Sequence, residues 1–277
     1  MTAEQRSLLD LILDLGQPPS VRAEAGRKLN DWGDPRPGVS LRQDRLPDIA
    51  WCQAAESYSI SKYLVTGVQY EAFVIAEDGY SNDLWWQEPS RLALRVVGPG
   101  KSTWSFANHP VQNVSWYDAV AFARWLTAKL QATGELGAGN GVRLPTAFEW
   151  WQAATGEDRS RHYPWGPGYR IGFANVDETN SGEGSSFLKQ TTSVGLYPHA
   201  AAPCGAMDMS GNVSEWTLTE YSSKRSDDLT NTQPRMVCGG SWLNAPAHAR
   251  TSSRTFGFPD YRYYNVGFRL LREVSRP

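Results

Sequence analysis

From residue 157 to residue 277 the chain carries no long helical period. Glycine, proline, asparagine and serine recur throughout that stretch, a punctuation that favours short strands joined by long ordered loops. The helix signals lie upstream. Ser115 and Asp118 form a capping box, in which the serine accepts from first-turn amides and the acid reaches back. A helix is predicted from there to about Gln131, with Val120, Ala123, Leu126 and Leu130 on one stripe. Thr146 and Glu149 repeat the device and open a helix through Ala154, stopped by Gly156. Thr66 is expected to cap a further helix over 67–76, with Tyr70, Phe73 and Val74 inward, after a strand-like alternation over 58–65. The segment 78–108 has no clear period and reads as loop.

The first 49 residues have a different texture. Leu8, Leu9, Ile12 and Leu15 share one helical face, and a second helix is predicted over 20–32, closed by Gly33 and the proline-rich stretch 34–38. Residues 1–49 are therefore read as an N-terminal helical extension packed on a main body, 50–277. The fold class expected is α+β, with two main helices, short strands and much ordered loop.

Charge and composition exclude several functions. With 27 Lys+Arg against 29 Asp+Glu, the chain lacks the electrostatic footprint of a nucleic-acid binder. No apolar run approaches the roughly 18–20 residues that span a bilayer, so no membrane insertion is expected. The first 17 residues mix Asp, Glu and Arg with their leucines and do not read as a signal peptide, so a cytoplasmic setting is expected. Cys52, Cys204 and Cys238 are too few and too scattered for a disulfide framework. Twelve tryptophans among 25 glycines and 17 prolines suggest a loop-rich globule pinned by large rings.

Several phrases then line up in order. They are Ser61 to Thr66 with Tyr70 and Phe73; His109-Pro110-Val111-Gln112-Asn113-Val114-Ser115-Trp116; Arg143-Leu144-Pro145-Thr146 with Glu149-Trp150; Tyr163-Pro164-Trp165-Gly166; and Asn175-Val176. Next come Asp208-Met209-Ser210-Gly211-Asn212-Val213-Ser214-Glu215-Trp216 and Gly239-Gly240-Ser241-Trp242, with Arg250, Arg254, Pro259-Asp260 and Asn265-Val266-Gly267-Phe268-Arg269. Over roughly residues 50–272 this order resembles the formylglycine-generating enzyme, or sulfatase-modifying factor, family. The resemblance implies a variant of the C-type lectin fold, and places Trp116, Trp150, Trp216 and Trp242 in the scaffold.

The same resemblance frames the chemistry. The family's enzymes hold copper with two cysteines just after the Gly-Gly-Ser-aromatic motif, and soft thiolates suit Cu(I). Here that stretch runs from Leu243 to Arg250 without a cysteine, while Cys238 precedes it. A second branch uses a non-haem iron held by histidines; this chain has His109, His162, His199 and His248, in no paired spacing. The chain is therefore read as not an enzyme and as requiring no cofactor. An oxidoreductase of either kind with an atypical site is the alternative. A structural calcium is the one metal the resemblance suggests, on the Asn212 side chain, the Val213 carbonyl and Glu215, since oxygen ligands suit a hard ion. Asn175-Val176 resembles the start of a second such site.

Between the two fixed-looking motifs, residues 243–265 pack Phe256, Phe258, Tyr261, Tyr263 and Tyr264 among small polar residues. Tyrosine mixed with Ser, Thr and Asn is the vocabulary of adaptable binding surfaces. A subset of this fold serves as variable proteins of diversity-generating retroelements, where adenine randomisation admits most residues but never Lys, Glu, Gln, Met or Trp. The stretch 243–265 contains none of these five. In that likeness the variable region spans about 239–269. The ligand-binding positions are Leu243, Asn244, Ala247, His248, Thr255, Phe256, Phe258, Tyr261, Tyr263 and Tyr264. Pro246, Arg250, Arg254, Pro259, Asp260, Arg262 and Gly267 are fixed, with the arginines expected to tie the loops to carboxylates such as Asp260. The function expected is a diversifiable aromatic surface that binds an unknown protein or other macromolecule, and not nucleic acid.

Overall fold

A computed structural model describes residues 1–87, 94–180, 182 and 184–274. Five helices are named here: α1 (Ala3–Leu13), α2 (Pro19–Trp32), α3 (Gly67–Ile75), α4 (Trp116–Ala132) and α5 (Ala147–Thr155). The strands are β1 (Trp51–Ala55), β2 (Tyr58–Ser61), β3 (Val142–Arg143), β4 (Ser214–Glu220), β5 (Arg235–Cys238), β6 (Arg254–Gly257), β7 (Val266–Gly267) and β8 (Leu271–Glu273). They form two four-stranded sheets, ordered β1-β2-β8-β3 and β6-β5-β4-β7. Pairing is antiparallel except between β4 and β7. This mixture of helices and two short-stranded sheets is the α+β architecture expected of the C-type lectin class.

Both predicted capping boxes form. Ser115 Oγ accepts from the Asp118 amide at 3.0 Å, and Asp118 Oδ2 accepts from the Ser115 amide at 2.7 Å. Thr146 and Glu149 do the same at 3.1 and 2.7 Å. The helix they open at 116 is buried far beyond the predicted stripe. Trp116, Tyr117, Phe122 and Trp125 lie in the core together with Val120, Ala123, Leu126 and Leu130. Alanines at 119, 121 and 123 supply the low-profile sides that let other elements cover the helix nearly all round.

Three predictions differ in extent. The N-terminal helix ends at Leu13, where Asp14 leaves helical geometry, so Leu15 lies beyond it in solvent and not on the apolar face with Leu8, Leu9 and Ile12. The strand expected over 58–65 stops at Ser61, because Lys62 and Val65 leave the ladder to bond Ala50 and Phe268. Of the segment 78–108 read as loop, residues 88–93 lie outside the described residues. The rest includes a 3₁₀ turn, Asp83–Trp85, and a helical turn over 94–97. Residues α1 and α2 contribute Ile12, Ala23, Ala25 and Leu29 to a small core with Leu196, Tyr197 and Ala200. Buried Arg22 donates from its guanidinium to the Ile12 and Leu196 carbonyls. No helix among the described residues is long and apolar enough to cross a membrane.

The scaffold tryptophans are nearly dark to solvent, and three donate their ring N–H to fixed acceptors. Trp116 donates to the Thr217 carbonyl, Trp150 to Glu215 and Trp216 to the Val114 carbonyl, at 2.9–3.0 Å. A buried ring with its N–H satisfied fixes orientation as well as volume. These three pins hold α4 and α5 against β4.

Candidate functional site

The stretch 239–269 is shaped by a few residues that face inward. At the end of β5, Gly239 and Gly240 turn the chain with φ of +86° and +65°. A Cβ on Gly240 would stand 2.9 Å from the His248 carbonyl oxygen, so the turn closes only around glycine. Asn244 Oδ1 accepts from the Ser241 amide and hydroxyl at 2.9 and 2.7 Å, and the Trp242 amide donates to the Asn212 carbonyl at 3.0 Å. Further on, Gly257 lies flat on Trp216, where a Cβ would come within 2.3 Å of the indole ring. The Pro259 and Tyr263 carbonyls accept from the Trp116 and Asn113 amides.

Arg262 is the main tie, and its partner is not Asp260. Its Nε and Nη2 donate to the Asp118 carboxylate at 2.8 and 3.1 Å, with the Tyr80 hydroxyl completing the cluster. Asp260 is exposed, whereas Asp118 is fully buried, and only the latter gives the guanidinium a carboxylate shielded from water. Arg254 also departs from expectation. It donates to the Thr251, Ser253 and Ala147 carbonyls and lies over the Trp150 ring, 5.5 Å from its centroid.

Eight of the ten positions expected to meet a ligand are exposed: Leu243, Ala247, His248, Thr255, Phe256, Phe258, Tyr261 and Tyr264. Asn244 and Tyr263 are half-buried. Tyr263 packs on Trp216 and its hydroxyl accepts from the Phe258 amide, so its ring supports the surface from beneath. Of the positions expected to be fixed, Pro246, Pro259 and Gly267 are buried and Arg254 and Arg262 half-buried, but Arg250 and Asp260 face solvent.

The rings form a continuous ribbon, with centroids 6.1 Å apart from Phe256 to Phe258, 5.9 Å from Phe258 to Tyr261 and 6.2 Å from Tyr261 to Tyr263. Tyr221 extends it, 5.0 Å from Phe256. Beside it, Trp242 gathers Trp104, Phe187 and Tyr264. Sequence reasoning missed Tyr221, Trp104 and Phe187, which come from loops with no periodic signal.

The residues expected to hold calcium do not fit a cation. Arg269 grips both oxygens of Glu215, Nε to Oε2 at 2.6 Å and Nη2 to Oε1 at 2.9 Å, while Trp150 donates to Oε2 at 2.9 Å. Both charged side chains are wholly buried. Asn212 Oδ1 already accepts from the Thr192 amide and the Asn175 side chain, at 3.0 and 3.3 Å. The positive charge this carboxylate needs comes from Arg269, and a metal there would have to displace it.

The thiols and imidazoles are likewise dispersed. Burial pushes the Cys238 thiol up to about 12 and also raises Cys52 and Cys204. His109 is buried with Nδ1 2.9 Å from Thr191 Oγ1, and desolvation pushes it down to about 3. His162 and His248 are exposed, and His199 lies 3.3 Å from the Gly172 carbonyl. Among the described residues no group of three His, Cys, Asp or Glu side chains is placed to hold a metal ion.

Comparison with known proteins gives one family model, two curated relatives and two solved structures. The family model described as "Sulfatase-modifying factor enzyme 1-like domain" matches residues 43–274. Hercynine oxygenase of Mycobacterium tuberculosis is 29% identical over 249 residues, covering 79% of this chain and 53% of that protein. A protein of Bos taurus named "Inactive C-alpha-formylglycine-generating enzyme 2" is 31% identical over 204 residues, covering 70% of this chain and 60% of the relative. The chain thus spans about half the length of the curated relatives it matches. Among solved structures, Treponema denticola variable protein 1 superposes with a TM-score of 0.53 at 21% identity, covering 77% of this chain and 84% of that one. PvdO from Pseudomonas aeruginosa superposes at 0.58 with 20% identity, covering 78% and 80%. These two likenesses establish the fold.

The relatives overturn one expectation. The missing cysteine pair was the ground for reading the chain as not an enzyme, yet oxygenases are among its relatives at about 29% identity over most of its length. A cysteine pair serves one metal chemistry only, and its absence does not exclude an enzyme in this family.

Proposed function

We propose that this chain, which belongs to the sulfatase-modifying factor enzyme 1-like family, binds a macromolecular ligand through the aromatic surface of residues 243–264, and that this surface is diversified. The observation that carries the reading is the sorting of side chains along one stretch. Phe256, Phe258, Tyr261 and Tyr264 stand about half exposed or more, at 46–60%. The residues between and around them are held from within by the Arg262–Asp118 pair, by Gly257 on Trp216 and by the Trp116 and Asn113 amides. Large rings on a backbone already ordered lose little freedom when a partner docks. A monomer seldom leaves so many adjacent rings in water without use.

Natural variation at this locus tests the reading. Across sequences of this gene from a growing population, substitutions should concentrate at the eight exposed positions, Leu243, Ala247, His248, Thr255, Phe256, Phe258, Tyr261 and Tyr264. Trp242, Gly257, Pro259 and Gly267 should stay constant. Substitutions spread evenly over 239–269, or absent from it, would overturn diversification.

An oxygenase-type activity is the second reading, favoured by the hercynine oxygenase relatives. Among the described residues the chain offers no ready-made metal centre, so the test is direct. Oxygen consumption would be measured with iron and a thiol present, against the same mixture without protein.

A further inference from the structure

The ribbon of rings leads into a second feature. Beyond Tyr221, between the start of α5 and the sheet β6-β5-β4, lies a shallow, open cavity of about 370 Å³. Phe148 and Trp151 of α5 and Met236 of β5 form its apolar walls, and Lys224 and Arg254 also line it. Phe148 is 64% exposed. Met236 pairs directly with Phe256 across the β5–β6 ladder, so cavity and ribbon are neighbours on one side of the sheet.

Charge gives the cavity its preference. Among the described residues Lys224 and Arg254 are the only charged ones that line it, in a chain whose net charge is −2. Among the described residues neither is ion-paired. Lys224 Nζ donates to the Tyr221 carbonyl and stands 4.7 Å from the Tyr221 ring centroid, while the Arg254 guanidinium rests on three carbonyls and the Trp150 ring. Those contacts satisfy donors but leave both positive charges uncompensated. The nearby carboxylates have other cations, Glu149 the Arg143 guanidinium and Glu220 that of Arg235 at 4.0 Å, with Ser223 and Asn231 also donating to Glu220. Thr219 and Ser226 add hydroxyl groups to the same wall. Two cations and one hydroxyl proton left over from the Thr219–Ser226 pair, beside apolar walls, form a receptor for a carboxylate on an apolar neighbour.

The adjoining strand indicates how such a group would be delivered. β6 is at the edge of its sheet, and its side away from β5 makes no backbone hydrogen bond among the described residues. An exposed edge is a template for an extended chain.

We infer that this surface receives an extended protein segment whose Asp or Glu side chain enters between Lys224 and Arg254 while flanking apolar side chains lie on Phe256 and Phe258. The inference rests on the macromolecular-ligand reading and names the chemistry of the partner.

Selection of random 12-residue peptides on phage against the whole chain tests it. Enriched peptides should carry Asp or Glu beside aromatic or aliphatic residues. A fluorescein-labelled synthetic copy should lose at least ten-fold in affinity to Lys224→Glu and less than three-fold to Lys224→Arg, by anisotropy. Lys224 is exposed, so both variants should keep the parent melting temperature. Peptides without acidic bias, or an equal loss in Lys224→Glu and Lys224→Arg, overturn the carboxylate receptor. Binding that ignores Lys224→Glu but fails in the Phe256→Ala, Phe258→Ala double variant also overturns it while leaving the aromatic surface intact. No enrichment at all sinks both.

Discussion

Glu215 shows how far a single residue can be read from its neighbours. Its place in Asn212-Val213-Ser214-Glu215-Trp216 resembles a calcium-binding phrase, and its chemistry suits a hard cation. The side chain that claims it is Arg269, 54 positions away, and local spacing carries no trace of that partner. With both groups at 0% exposure, the pair is costly to break. Arg269→Met should destabilise the fold by about 3–5 kcal/mol, because it strands a buried carboxylate. The midpoint of urea unfolding measures this, and a loss below about 1 kcal/mol would mean that water or another cation reaches Glu215. Cys238, by contrast, packs fully at the end of β5, and burial, more than any charged neighbour, sets the state of its thiol.

At the level of elements, legibility followed locality. Both capping boxes are contacts between residues three apart, and both stand where the sequence puts them. Thr146→Ala should cost about 1 kcal/mol of stability, as loss of a side-chain cap does. Thr146→Ser, which keeps the acceptor, should recover most of it, and equal losses in the two variants would point to the methyl group instead. What encloses an element was less legible. The helix from Trp116 reads as a stripe, yet it is covered nearly all round, since coverage depends on which distant segments cross it. Asp118 makes the point most sharply. Sequence assigns it to the cap, but the fold gives it Arg262 as well, so one carboxylate starts a helix and moors the aromatic loop.

For the molecule as a whole, acid stability reports two buried groups that act in opposite senses. Burial pushes His109 down to about 3, so below the unfolded value near 6.5 the unfolded chain binds a proton that the fold refuses. Stability from this residue is therefore complete above about pH 6.5 and falls as pH drops from there toward 3. Burial pushes Asp208 up to about 6, and between that value and about 4 the fold binds the extra proton, so its contribution runs the other way. Comparing variants separates them. The stability advantage of the parent over His109→Gln should shrink by about 1.4 kcal/mol per pH unit between pH 6 and 4. An advantage independent of pH would mean that His109 titrates alike in both states.

By itself the sequence determined the features carried in short range or in composition. These are the α+β class, the capped helices, the tryptophan scaffold and the stretch 243–265 as a concentration of rings. Helix caps and turn glycines act within a few residues, so their signals are written side by side. Tertiary structure decided which groups meet. It gave Glu215 to Arg269 and Arg262 to Asp118, turned Tyr263 inward beneath the rings that face out, and set Lys224 and Arg254 around one cavity. Each pairing joins segments tens of residues apart or more, and a packed interior chooses such partners by shape and by the need to neutralise buried charge, neither of which is ordered along the chain.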